Sequence, residues 1–181
     1  MPIPIYVKVA LWTCYLLSLF FAIFWFLVLL DKEAKTKTRK SKKRPSVSIV
    51  VPAYNEERSI KTTLTSLTKI DYPRNNLEII VVNDGSTDNT KNLVKEFTAR
   101  HKGCDIKLIN KKNKGKGAAL NDGLAMSKGE FFICLDADSI VTKDALEKIL
   151  PHFTDDNIAV VLPLLKVDKP KNLWQRMQWL E

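Results

Sequence analysis

Short apolar runs alternate along most of this chain with segments whose apolar residues recur at helical spacing. Val47–Val51, Leu77–Val82, Ile106–Ile109, Phe131–Leu135 and Ile158–Leu162 are runs of strand length. Between and after them, Ile60, Leu64 and Leu67 fall on one helical face, as do Leu93, Val94 and Phe97, then Leu120 and Leu124, then Leu146, Ile149 and Leu150. This βαβ alternation predicts an α/β domain whose largely parallel sheet is covered by helices on both faces. Asp71-Tyr-Pro-Arg74 reads as a loop, because Tyr72 precedes a proline. Gly129 is placed to end the third helix as a left-handed cap. There is no internal repeat.

The first 30 residues obey a different rule. From Val9 to Leu30 no side chain is charged, and about 22 residues rising 1.5 Å each span roughly 33 Å, enough for a bilayer core. The expected organisation is a transmembrane helix over residues 6–30, a basic linker over 31–45 and a globular domain over 46–181. A cleaved signal peptide is the competing reading, but the run is longer than an h-region and no small-residue cleavage site comes after it.

Lys32, Lys35, Lys37, Arg39, Lys40, Lys42, Lys43 and Arg44 lie just after the span, whereas only Lys8 and the amino terminus precede it. Basic flanks stay in the cytoplasm, so the expectation is a single-span protein of the cell membrane, its amino terminus outside and its domain cytoplasmic. Much of the net charge of +9 lies in this linker, which points to membrane lipids as partners. No nucleic-acid partner is expected, since no recognition motif accompanies the basic tract. Cys14, Cys104 and Cys134 lack paired spacing, and His101 and His152 have no partner at zinc-ligand spacing.

The candidate chemistry lies where the strands end. Asp136 and Asp138 stand one residue apart after Phe131–Leu135. A buried parallel strand delivers the next few residues to the carboxyl edge of the sheet, where α/β proteins bind ligands, and two carboxylates there suit a cation. Alone, such a pair is more often a turn with a helix cap, a role open to Ser139 or Thr142 as well. The first strand runs into Pro52-Ala-Tyr-Asn-Glu-Glu57, and the second into Asn83-Asp-Gly-Ser-Thr-Asp88. The stretch Asn110-Lys-Lys-Asn-Lys-Gly-Lys-Gly117 adds a basic loop before a helix starting near Ala118. Acidic and basic loops at one edge suit a metal-bound diphosphate carried by a nucleoside.

As a set, Val51-Pro-Ala-Tyr-Asn-Glu-Glu57, Asn83-Asp-Gly-Ser-Thr-Asp88, Lys114-Gly-Lys-Gly-Ala-Ala-Leu-Asn121 and Asp136-Ala-Asp138 resemble, in order, the successive signatures of the family 2 glycosyltransferases. The likeness covers about residues 46 to 181 and is closest to the membrane polysaccharide synthases that make poly-N-acetylglucosamine, hyaluronan or cellulose. It implies a GT-A fold, a nucleotide-sugar donor of the UDP type, a glycan or lipid-linked acceptor, and Mg²⁺ or Mn²⁺ as cofactor. By the same resemblance Asp138 is the direct metal ligand and Asp136 the contact to nucleotide or ribose, also within reach of the metal. Asp84 is assigned to the base, while Pro52, Ala53, Tyr54 and Glu56 are walls of the nucleoside pocket. Lys116 meets a phosphate. Asn55 and Glu57 read as turn and helix-start residues, Asp88 as a cap, and Lys111, Lys112 and Lys114 as solvated.

The resemblance also implies parts that these residues do not supply. An inverting transfer needs a general base for the acceptor hydroxyl. After Asp138 the acids are Asp144, Glu147, Asp155, Asp156, Asp168 and Glu181, none in the expected Glu-Asp context. Gln175-Arg-Met-Gln-Trp179 is only superficially like the Gln-x-x-Arg-Trp segment of processive synthases. Leu173, Trp174, Met177 and Leu180 form a stripe that suits either a core helix or a membrane interface. Two functions therefore stay open: a membrane-anchored inverting glycosyltransferase whose amino-terminal part this is, or a non-catalytic nucleotide-sugar-binding half that needs a partner chain for its general base.

Overall fold

The computed structural model describes residues 4–30, 44–154 and 157–163. The chain divides into two units, Met1–Thr38 and Arg39–Glu181. The first unit contributes helix α1, Ile5–Leu30. Over Ile5–Leu27 none of its residues is buried, and this stretch is long and apolar enough to cross a membrane by length and composition.

The second unit is built on four parallel strands, β1 (Val47–Ala53), β2 (Leu77–Asp84), β3 (Asp105–Lys111) and β4 (Phe131–Cys134), in the order β3-β2-β1-β4. Its helices are α2 (Ile60–Thr68), α3 (Thr90–Arg100), α4 (Lys116–Met126) and α5 (Ala145–Ile149), the last continuing as a 3₁₀ turn over Leu150–Thr154. The chain steps outward from β1 to β2 to β3 and then returns across the sheet to β4. Because crossovers between parallel strands are right-handed, reversing the direction of travel moves the connecting helix to the opposite face. Accordingly Ile60, Leu64 and Leu67 of α2, Val94 and Phe97 of α3, and Leu146 and Leu150 join Val47, Ile49, Val51, Ile79 and Val81 in one core. Ala119 of α4 packs with Val50, Ile80 and Val82 on the other. The α/β expectation with both faces covered is met.

Three local expectations are corrected. The run 158–162 forms no strand: Val160 and Leu162 are exposed, so the run lacks the burial that would hold it against the sheet. Helix α4 does not bury Leu124. Its inner face is Ala119 and Gly123, because a Cβ on Gly123 would lie 2.3 Å from Val50 Cγ1, so the helix sits too close to β1 for a larger side chain there. Gly129 is no left-handed cap, for α4 ends at Met126 with Ser127 in extended conformation. Gly129 instead lets the chain pass over β1, where an added Cβ would come within 2.6 Å of Ser48 N. The expectations for residues 31–43 of the linker, for Asp155, Asp156, Asp168 and Glu181, and for the stripe at 173–180 lie outside the described residues.

Candidate functional site

Register brings the motif loops together. Ala53 pairs with Asn83, Asp84 with Lys111, and Val50 with Cys134, so the strands end side by side at the carboxyl edge. The strand order reverses between β1 and β4, the switch point where open α/β sheets leave a crevice. There a cavity of about 380 Å³ is lined by Pro52, Ala53, Tyr54, Glu56, Asp84, Asn113, Gly115, Lys116, Ala119, Asp136, Ala137 and Asp138. All eight residues singled out from the sequence line it. Asn113, Gly115, Ala119 and Ala137, the last lying between the two aspartates, were missed. Their signal was position: Gly115 precedes the helix in the basic loop, and Ala119 lies one turn after Lys116 on the inner face of α4.

The first two loops are zipped by reciprocal hydrogen bonds. Asn55, at φ 56°, donates its N–H to Ser86 Oγ (3.0 Å), and its Oδ1 accepts the Thr87 N–H (2.8 Å). Glu57 N–H donates to Asp88 Oδ2 (3.0 Å), while Glu57 Oε2 accepts the Asn89 N–H (3.1 Å). Glu56 N–H reaches Thr90 Oγ1 at 2.8 Å. Asn55 and Glu57 are thus more than a turn and a helix start: they fix the loop that presents Tyr54 and Glu56. Asp88 also accepts the Thr90 amide and hydroxyl ahead of α3. Burial alone would raise its pKa; the Thr90 and Glu57 donors outweigh that and lower it.

The basic loop is held by Asp84. This buried carboxylate accepts the Lys114 N–H at Oδ1 (3.0 Å) and the Gly115 N–H at Oδ2 (2.8 Å). Gly85, at φ 74°, lets the loops touch, since a Cβ there would lie 2.7 Å from Asn113 N. Lys111 is not solvated: its ammonium pairs with Asp122 of α4 at 2.5 Å and lies 3.9 Å from Asp84. Lys112 and Lys114 are exposed, as expected.

Asp136 and Asp138 both sit at the cavity, in the turn after β4. Neither caps α5, which starts at Ala145 behind Asp144. Lys116 Nζ lies 2.5 Å from Asp136 Oδ1, a contact that, with the nearby charge of Asp138, raises the lysine pKa. Glu56 Oε2 accepts the Ser59 hydroxyl at 2.5 Å. Partial burial pushes the Cys134 thiol pKa up. Among the described residues no cluster of three His, Cys, Asp or Glu side chains could hold a metal by itself. Two exposed carboxylates are nonetheless the hard oxygen donors that Mg²⁺ or Mn²⁺ takes from a protein when phosphates complete its coordination, so the residues fit such a cation.

A parallel sheet with carboxylates and a lysine gathered round one crevice at its switch point is the arrangement of a ligand-binding α/β domain. The chain belongs to glycosyl transferase family 2, whose family model matches residues 48–181. A poly-beta-1,6-N-acetyl-D-glucosamine synthase of Staphylococcus epidermidis is 39% identical over 100 residues, 55% of this chain and 23% of that protein. The protein described as "Probable glycosyltransferase YdaM" of Bacillus subtilis is 38% identical over 120 residues, 65% of this chain and 29% of that protein. The chain thus spans less than a third of the length of these relatives. Among solved structures, a mannosyltransferase of Pyrobaculum calidifontis in complex with GDP-Man and Mn²⁺ aligns at TM-score 0.66 and 30% identity, over 85% of this chain and 44% of that one. TarS residues 1–349 of S. aureus in complex with UDP-GlcNAc aligns at TM-score 0.53 and 33% identity, over 57% and 29%. The GT-A expectation accords with these likenesses.

Proposed function

We propose that this chain carries the donor site of a membrane-anchored, inverting glycosyltransferase that moves a sugar from a UDP-sugar to a glycan or lipid-linked acceptor. The observation that carries the reading is the convergence of Pro52, Ala53, Tyr54, Glu56, Asp84, Lys116, Asp136 and Asp138 on one cavity at the switch point. The complexes of TarS with UDP-GlcNAc and of the mannosyltransferase with GDP-Man and Mn²⁺ support a nucleotide sugar as the ligand class. The Staphylococcus relative supports an N-acetylhexosamine and polysaccharide synthesis.

Tyr54, half exposed at the rim, offers a ring face to the base. Asp84 keeps unused lone pairs beside the two amides it holds and accepts from a base N–H. Lys116 meets a phosphate as a point charge. Asp138, with Asp136, would hold Mg²⁺ or Mn²⁺ together with the donor's phosphates. A divalent ion there supplies charge stabilisation to the departing diphosphate. The general base that deprotonates the acceptor is assigned to none of the described residues; in this reading a further segment or a partner chain would supply it. Helix α1 anchors the domain in the cell membrane, and the basic linker keeps it on the cytoplasmic side with the amino terminus outside.

Titrating UDP into the full chain in detergent micelles, with and without Mn²⁺, tests the site. Binding that strengthens with Mn²⁺ and is lost in Asp138→Asn is the expected result. Binding indifferent to both the metal and the substitution would overturn the reading.

A further inference from the structure

The ammonium of Lys116 and a divalent metal would compete for the same carboxylate. Lys116 opens α4 and Asp136 comes just after β4, yet Nζ reaches Oδ1 at 2.5 Å, with the two side chains 63% and 57% exposed. Asp138 is also exposed at this cavity and makes no ion pair among the described residues. A lone metal ion approaching the pair finds Asp136 already neutralised and a positive charge beside it. One remaining carboxylate is a weak site for a cation that prefers several oxygen ligands.

A diphosphate changes both conditions. It brings phosphate oxygens that complete a metal's coordination, and it offers the ammonium a stronger anionic partner than a solvated carboxylate. Lys116 has the reach for such an exchange because it is exposed and mobile about four side-chain bonds, and it lines the same cavity as both aspartates.

We propose that Lys116 makes metal binding at Asp136 and Asp138 conditional on the nucleotide diphosphate: it holds Asp136 against a lone divalent ion and leaves it for the phosphates when the diphosphate arrives. This rests on the donor-site reading above. Metal and nucleotide then enter as one unit, and the site is not occupied by metal alone. In thermodynamic terms Lys116 is a source of positive coupling between the two ligands, and the coupling must be reciprocal.

The test is a pair of titrations on the full chain in detergent micelles: Mn²⁺ alone, monitored by the loss of its free-ion electron paramagnetic resonance signal, and UDP with and without Mn²⁺. Lys116→Met is expected to bind Mn²⁺ alone up to about fivefold tighter, the scale of an exposed ion pair, while the gain in UDP affinity caused by Mn²⁺ shrinks by at least that factor. Lys116→Arg keeps a cation and is expected to behave like the wild type. Neither change reaches the core, and circular dichroism checks that both variants fold. If Lys116→Met binds Mn²⁺ alone no tighter than wild type while wild type responds to Mn²⁺ and to Asp138→Asn as expected, the gate is wrong and the donor site stands. If wild-type binding of UDP ignores both Mn²⁺ and Asp138→Asn, the donor site falls and the gate falls with it.

Discussion

Asp84 and Gly115 are joined by a 2.8 Å hydrogen bond from the Gly115 amide to Oδ2, across 31 residues of sequence. With the matching bond from Lys114 N–H, one buried carboxylate sets the path of the loop that delivers Lys116 to the cavity. Asp84 is therefore both a pocket wall and the anchor of another wall. In Asp84→Asn one acceptor becomes a donor and faces an amide, which costs about 1–3 kcal/mol for the unsatisfied pair. The variant is expected to unfold at lower denaturant and to lose amide-exchange protection at Lys114 and Gly115, together with UDP binding. Asp136→Asn, at an exposed position, is expected to weaken binding without the stability loss. Equal stability of the two variants would show that Asp84 does not anchor the loop.

Glu78 is a second buried carboxylate, at the opposite edge of the sheet. It stands on β2 opposite Asp105 of β3, a like-charge pairing that would be unfavourable but for Lys107, 2.6 Å from Glu78 and 3.5 Å from Asp105. Ser48 Oγ–H and Lys128 N–H also donate to Glu78. Burial opposes its ionisation, but these donors and the ammonium outweigh it and hold the pKa at about 2. Its folded-state pKa lies below the unfolded one, so the stabilisation is present above the ordinary glutamate value of 4.5 and lost as pH falls toward 2. The loss is on the order of 2–3 kcal/mol. Denaturant unfolding of wild type should weaken across this window, and that of Glu78→Gln, weaker at neutral pH, should change less there. Parallel pH curves for the two would refute the assignment.

The four strands and the eight cavity residues were legible because their signals are local. A strand buried on both faces must be mostly apolar, as Ile79–Val82 of β2 is, and the residues just beyond its last apolar position must reach the sheet edge. Distances between elements left no such trace. Leu124 sits at core spacing in α4, but the helix approaches β1 through Gly123, and the leucine is turned outward. Lys111 looked like one of several solvated lysines, and its pairing with Asp122 depends on how α4 lies over the sheet. The run 158–162 shows the converse limit, since an apolar pattern states a preference for burial and not that the burial is reached.

Gly123→Ala tests the close approach of α4 to β1. Alanine is favoured over glycine inside a helix by roughly 0.8–1 kcal/mol. Here its Cβ would meet Val50 Cγ1 at 2.3 Å, and Val50 is fully buried. Overpacking of this kind costs about 1–3 kcal/mol, so the net change is expected to be destabilising. The double variant Gly123→Ala with Val50→Ala should recover part of the loss, because removing the valine methyls frees the contact. A neutral or stabilising single variant would mean that the helix stands further from the strand.

Asn55 allows strain and hydrogen bonding to be separated at the loop that carries Tyr54 and Glu56. Its φ of 56° is a conformation that asparagine tolerates and glycine adopts freely, whereas alanine incurs a steric penalty there. Its side chain also accepts the Thr87 amide at 2.8 Å. Asn55→Gly removes only the side-chain bond and is expected to cost about 1 kcal/mol. Asn55→Ala removes the bond and adds backbone strain, for about 2 kcal/mol in all. The order wild type, glycine, alanine should hold in denaturant unfolding and in UDP affinity alike, since both neighbours of Asn55 line the cavity. If the glycine variant matched wild type in both measurements, the bond to Thr87 would contribute nothing. If the alanine variant matched the glycine variant, the left-handed turn at Asn55 would not be required to present Tyr54 and Glu56 to the donor.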